Sequence, residues 1–330
     1  MNNPKLAKNS HLPQVLQGLR LPVIAAPMFI VSYPELVKAQ CMSGIVGSFP
    51  ALNARPAELL DDWLSQLKEE LAEEQTKNPA KKIGPIAVNQ IVHMSNQRLE
   101  QDVRTCVKHQ VPIFITSLRA PIKEILDAVH SYGGIVLHDV VNIRHAEKAL
   151  EAGVDGLILV AAGAGGHAGT LSPFSLVGEV RQFFKGPIAL SGSISNGQSI
   201  LAAQAMGADF AYMGTRFIAS QEAHASQAYK QAIIDAHAAD IVYTDFFTGI
   251  HGNYIQQSII SAGLDPKNLP SVDKSKMDFQ KANQDEANAK AWKDIWGAGQ
   301  GVGLINDAPS IAEIVQRLED EYQSARRNLL

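Results

Sequence analysis

Asp155 to Thr170 reads DGLILVAAGAGGHAGT, and it places one imidazole, His167, in a loop otherwise nearly free of side chains. The apolar run Leu157 to Ala162 has the continuity of a strand buried on both faces. It stops at Gly163-Ala164-Gly165-Gly166-His167-Ala168-Gly169. Glycines at a strand end let backbone approach a ligand closely and expose N–H groups to it. A lone imidazole there is a candidate acid/base group, its ordinary pKa of about 6.5 suiting proton transfer in either direction. A tight turn with a solvated histidine is the simpler alternative.

Two other stretches have related chemistry. SGSISNGQS (191–199) and MGTRF (213–217) each set glycine and small hydroxyl residues just before a helix. Such segments can bind phosphate through backbone N–H groups and a helix N-terminus. Each alone is also an ordinary helix cap. Metal-assisted hydrolysis would need clustered carboxylates or imidazoles, and at the strand ends only Asp139 and His167 qualify. Cys41 and Cys106 lie in apolar helical patterns and read as buried thiols rather than a disulfide or metal ligands, so no metal site is expected.

Short apolar runs alternating with amphipathic stretches must position these groups. Strands are expected over 21–28, 44–50, 85–92, 111–117, 134–141, 156–162, 186–193 and 209–215. Helices are expected over 33–42, from about Pro56, and over 96–108, 121–132, 143–152, 175–184 and 197–206. A strand–helix alternation repeated eight times predicts an α/β fold of the (β/α)8 barrel type. The rival is a doubly wound sheet, but its glycine fingerprint belongs after the first strand, which here ends in Ala26-Pro27-Met28. Residues 221–290 break the alternation and read as a helical cap inserted after strand eight. That leaves 1–220 and 291–330 to the barrel, with APSIAEIVQRLEDEYQSARRNLL returning as a helix to its wall. Within the cap, Thr248-Gly249-Ile250-His251-Gly252-Asn253-Tyr254 is either a substrate-side loop or an interhelical turn. Phe49, Phe246, Phe247 and Tyr254 are candidates to line an apolar pocket or to sit in the core. Alternation along strand five sends His138 and Asp139 to opposite faces, His138 behind the strand.

The 330 residues suffice for a large core, 46% of them are apolar, and the net charge of −4 gives no nucleic-acid footprint. The polar N-terminus has no signal core and no apolar run reaches membrane-spanning length, so a cytoplasmic protein is expected.

IAAPM, AVNQ, GAGGHAG, LSGSI followed by NG, MGTRF and WGAGQGVGL (296–304), in this order from about residue 20 to 320, resemble the nitronate monooxygenase family of flavoproteins. The resemblance implies non-covalent FMN across the barrel top, and it implies oxidation of an alkyl nitronate or nitroalkane with O2 to a carbonyl compound and nitrite. Related barrels that share the motifs are NAD(P)H-dependent reductases of quinones or enoyl thioesters, which is the alternative reading. A flavin-binding barrel without catalysis is the third. By position Ala26, Pro27 and Met28 would lie against the ring and Asn89 would hydrogen-bond the flavin. Gly165, Gly166, Gly192, Ser193, Met213, Gly214 and Thr215 would hold the ribityl chain and phosphate, and His167 would be the catalytic histidine. Asp139 stands near the flavin where relatives often have Lys or Gln, and an anion there would disfavour a negatively charged reduced ring. Phe29-Ile30-Val31-Ser32-Tyr33 also departs from the family's glycine-rich and Ser/Thr segment. A homodimer is a further expectation.

Overall fold

In the computed structural model, residues 12–270 and 294–329 are described. Eight parallel strands alternate with helices. They are β1 (Val23–Ala25), β2 (Gly47–Pro50), β3 (Ile86–Val92), β4 (Ile113–Leu118), β5 (Ile135–Val140), β6 (Gly156–Val160), β8 (Ile188–Ser191) and β9 (Phe210–Met213). The order β1-β9-β8-β6-β5-β4-β3-β2 is closed by a parallel bridge between Ile24 and Val46, giving a TIM barrel. The alternation of side chains across these strands divides two cores. Ile24, Val46, Ala87, Ile113, Ile115, Leu137, Ile158, Ala189 and Phe210 fill the interior, with Leu12 and Leu16 among them. Val88, Phe114, Val136, Leu157, Leu159 and Leu190 face outward to the helices.

Those helices are α1 (Pro34–Met42), α2 (Leu59–Lys77), α3 (Leu99–Lys108), α4 (Lys123–His130), α5 (Ile143–Ala152), α6 (Pro173–Phe183) and α7 (Gly197–Met206). Asn142 and Asn196 cap α5 and α7 by accepting the His145 and Ser199 N–H groups, which stabilises each helix start by about 1 kcal/mol. Strand β9 is followed only by the four-residue α8 (Thr215–Ile218). The place of the eighth barrel helix is taken by the C-terminal helix α11 (Ile311–Leu329), which packs between α7 and α1. Ile311, Ile314, Val315, Leu318 and Tyr322 are its buried stripe, and Glu321 accepts the Gly197 N–H at 2.7 Å. The expected return of the tail to the barrel wall is what the chain does.

The segment expected to be a helical cap is mixed. It holds α9 (Gln227–Asp235), two antiparallel strands, β10 (Ile241–Thr244) and β11 (Gly252–Ile255), and α10 (Gln256–Ser261). The β-branched and aromatic IVYT run favours a strand over a helix. Residues 271–290 of the expected cap lie outside the described residues. The third strand of this small sheet is β7 (Gly166–His167), which pairs with β11 through Gly252 opposite His167 and Asn253 opposite Gly166. The segment 248–254 is therefore not an interhelical turn but the bend and second strand of a hairpin that lies against His167. Among the described residues no helix is long and apolar enough to cross a membrane.

Candidate active site at the barrel mouth

The glycine segment after β6 leaves the barrel and returns to it. The Gly169 N–H bonds the Val160 carbonyl at the end of β6 at 3.3 Å, and the Ala162 N–H bonds Leu171 O at 2.8 Å. His167 stands on this closed excursion, over the mouth. It is held there by β11, by the Ala168 N–H to His251 O bond at 3.1 Å, and by Tyr243, whose hydroxyl donates to Ala168 O at 3.1 Å. Asn253 fixes the other flank, its Nδ2 donating to Ala164 O at 2.6 Å.

The imidazole Nε2 lies 3.0 Å from Thr248 Oγ1. That hydroxyl is also 2.8 Å from the Ile250 carbonyl, which can only accept. Oγ1 also accepts from the Ile250 N–H at 3.2 Å; with its one proton on the Ile250 carbonyl, Thr248 presents a lone pair to which His167 donates Nε2–H. The lone pair of the neutral ring then resides on Nδ1. Desolvation pulls the pKa of His167 down to about 4, not the ordinary histidine value the sequence suggested. At neutral pH the ring is uncharged and its tautomer is set.

Loops after three strands meet beside it. The Ser193 N–H and the Gln300 N–H both bond Gly163 O, at 3.3 and 2.9 Å, and the Gly299 N–H bonds Thr215 Oγ1 at 2.9 Å. The packing is backbone on backbone. A Cβ at Gly163 would lie 2.2 Å from Ser193 Oγ, and one at Gly165 2.7 Å from Gly299 N. Ser193 itself is exposed and takes φ of 56°, a left-handed conformation that costs a non-glycine residue energy and tends to persist at functional sites. At the neighbouring strand end the Ala26 N–H bonds Met213 O at 2.8 Å, and a Cβ on Gly214 would sit 3.4 Å from both Ala26 Cβ and Met28 Sδ. Asn53 secures the loop that carries Met28. Its Nδ2 donates to the Met28 and Ser32 carbonyls and its Oδ1 accepts from Ile30, whose φ of 57° is unusual for a β-branched residue.

The structure thus brings His167, Gly165, Gly166, Gly192, Ser193, Gly214, Thr215, Ala26, Pro27 and Met28 to one end of the barrel. Met213 contributes only backbone, because strand alternation turns its side chain into the outer core, where it is 1% exposed. Thr215 already accepts a structural bond, leaving its proton to give. Asn89 is inward-facing and 4% exposed, but its amide protons go to Ile115 O at 3.2 Å and Ser117 Oγ at 2.8 Å. It has a carbonyl oxygen, not a donor, to offer a ligand. Phe49 is fully buried in the core against Trp63. Phe246, Phe247 and Tyr254 form an edge-to-face run within the hairpin.

Asp139 faces the barrel interior, and His138 faces outward. His138 is buried, bonded through Nδ1 to Thr116 Oγ1 at 2.8 Å, and pushed down to about 4 by burial. Asp139 Oδ2 accepts from Ser117 Oγ at 2.5 Å, while Oδ1 is buried without a partner. Burial raises this carboxyl to about 7. Tyr212, on β9, also points inward and is tied electrostatically to Asp139. Three residues here have roles that the sequence did not assign: Ser117, Tyr212 and Thr248, the last singled out only as part of the 248–254 loop or turn. The period-two alternation of β4 and β9 puts the first two on the face of Asn89 and Asp139, but Thr248 reaches His167 only through the hairpin.

The donor set fits a flat, phosphate-bearing cofactor. Loops too tight for side chains, a strained Ser193 beside them, and an orphaned buried carboxyl oxygen are the features such a ligand would satisfy. Among the described residues no group of His, Cys, Asp or Glu could hold a metal ion.

A protein-family model described as nitronate monooxygenase matches residues 51–321. A nitronate monooxygenase of Paraburkholderia phytofirmans is 26% identical over 98% of this chain and 97% of its own length. A probable nitronate monooxygenase of Staphylococcus haemolyticus is 23% identical over 71% of this chain and 69% of that protein. Among solved structures, nitroalkane oxidase from Streptomyces ansochromogenes superimposes with a TM-score of 0.76 at 22% identity, covering 94% of this chain and 98% of that one. FabK from Thermotoga maritima gives 0.75 at 23% identity, covering 96% of both. At these identities the two structures speak for the shared fold.

Proposed function

The chain belongs to the nitronate monooxygenase family of oxidoreductases, and from that premise we propose that it binds FMN across the barrel mouth and oxidises alkyl nitronates with O2 to carbonyl compounds and nitrite. Bound there, the flavin would supply the electron-accepting chemistry; the protein's share is binding, orientation and electrostatics. Ser193, Gly192, Gly214 and Thr215 would take the phosphate end, with Gly165 and Gly166 beside the ribityl chain. Ala26, Pro27 and Met28 would form an apolar rest for the ring.

The observation that carries this reading is the single neutral imidazole fixed over the mouth. With Nε2–H committed to Thr248, the free atom is Nδ1. A nitronate is an anion, and an anion bound against a neutral imidazole favours its protonation. Nδ1 then takes up a proton and becomes the donor to the nitro-group oxygens, which holds the substrate carbon in place. If a neutral nitroalkane binds instead, the same lone pair is the acceptor for its α proton.

Anaerobic stopped-flow mixing tests the assignment. Bleaching of the bound flavin by propyl nitronate and not by NADH is the expected result. Bleaching by NADH alone would replace it with the reductase reading, and bleaching by neither would remove catalysis of both kinds.

A further inference from the structure

Three consecutive strands place one polar residue each on the inner face of the barrel mouth: Asn89 on β3, Ser117 on β4 and Asp139 on β5. They form a directed chain. Asn89 Nδ2 lies 3.2 Å from the Ile115 carbonyl, which can only accept, so the amide orientation is fixed with its nitrogen on that side. The second amide proton goes to Ser117 Oγ at 2.8 Å. Ser117 therefore accepts from Asn89 and passes its own proton to Asp139 Oδ2 at 2.5 Å. Each direction follows from the one before it, and Oδ2 is left as an acceptor. Whatever Asp139 does for a ligand is done by Oδ1, which is buried and has no partner.

We propose that Asp139 works as a neutral acid in the cofactor site, carrying its proton on Oδ1 and donating it as a hydrogen bond to an acceptor atom of the flavin ring. The proposal rests on the FMN reading above. An ionised carboxylate would need a cation or a second donor at Oδ1, and no group lies within bonding distance of that oxygen. Ser117 is its one donor, the phenol of Tyr212 faces it from β9, and His138, its neighbour on β5, is turned to the other side of the sheet and is itself neutral. No cationic group enters its electrostatics. A buried, unpartnered carboxyl oxygen costs stability until something pairs with it, so the bond formed to the ligand is a net gain. Burial raises the carboxyl to about 7, in keeping with an acid that holds its proton below neutrality. A neutral acid here also removes the conflict between Asp139 and a negatively charged reduced ring.

The test uses the flavin-loaded protein and reads the carboxyl directly. Infrared difference spectra of wild type against Asp139→Asn at pH 6, with 13C-labelled aspartate, are expected to show one protonated carboxyl band that shifts when flavin binds. Ser117→Ala removes a bond that favours the ionised form, so the band is expected to persist to higher pH in that variant. Asp139→Asn keeps an N–H donor, so its flavin dissociation constant should stay within about threefold of wild type. Asp139→Ala should weaken it about tenfold. In wild type alone, the flavin potential should gain an extra pH-dependent component above about pH 7. An ionised Asp139 at pH 6 in the loaded protein would overturn the proposal, as would a carboxyl band that ignores flavin or potentials identical in wild type and Asp139→Asn. A protein that binds no flavin at all would instead overturn the functional reading, and the band in the flavin-free protein would still report the state of Asp139.

Discussion

Two histidines in this molecule have the same kind of partner, a threonine hydroxyl, and the same proton affinity but sit in different regions. His138 lies between the sheet and the outer helices, bonded to Thr116 and buried; His167 stands over the barrel mouth, bonded to Thr248 on a hairpin. Both are pushed down to about 4 by loss of solvent. Proton affinity alone therefore does not single out the functional group. The difference is what lies beyond the free nitrogen: core packing for one, a glycine-lined mouth for the other.

Substitution at the two positions breaks the pair most sharply. His167→Asn should lower nitronate turnover by about 10²–10⁴-fold at matched flavin content. His138→Asn should leave turnover per bound flavin within about twofold. If both variants fall equally, the distinction by region is wrong. The next effect is smaller. Thr248→Val removes the acceptor that fixes the His167 tautomer and should reduce turnover about 10–100-fold, with recovery in Thr248→Ser. 15N spectra of labelled histidine should show Nδ1 of His167 unprotonated in wild type and a tautomer mixture in Thr248→Val.

The pH dependence follows from direction. A histidine with a native pKa below its unfolded value binds fewer protons folded than unfolded between about 4 and about 6.5. The stability each contributes is complete above that window and is lost as pH falls through it. Urea unfolding between pH 7 and pH 4 should show this loss, reduced in either single variant. Nitronate binding at pH 7 should take up close to one proton per site in wild type and none in His167→Asn, measured with a pH indicator in weak buffer. The smallest expected change is the midpoint of His138→Asn, lower than wild type by about 2–4 °C in a thermal melt, as befits one lost buried bond.

Most of the barrel was legible from hydrophobic period alone. All eight expected strands and seven intervening helices are present, with α5 and α7 bounded by Asn caps and by Gly153 and Gly207 at their ends. The strand-end motifs lie together at one end of the barrel, as expected where glycine and small hydroxyl residues mark close backbone approach. What was not legible depends on distance in sequence. The helical cap expected over 221–290 missed the hairpin at 241–255, whose second strand pairs with Gly166–His167, about 80 residues earlier. The Asp139 carboxyl was read as an anion, since its burial and its single donor exist only once β3, β4 and β5 are side by side.

Residues 297–301 have a further consequence. They bond Asn253, Gly163 and Thr215 in turn, through Ala298, Gln300 and Gly299, and Gly301 packs on Ser195 so closely that a Cβ there would lie 2.3 Å from its hydroxyl oxygen. Every barrel strand is complete by residue 213, yet the strap that ties the loops after three of them together comes more than 80 residues later. The strand ends and the strap are thus separate holds on the same mouth: the strands set the loops side by side, and residues 297–301 lock them to one another.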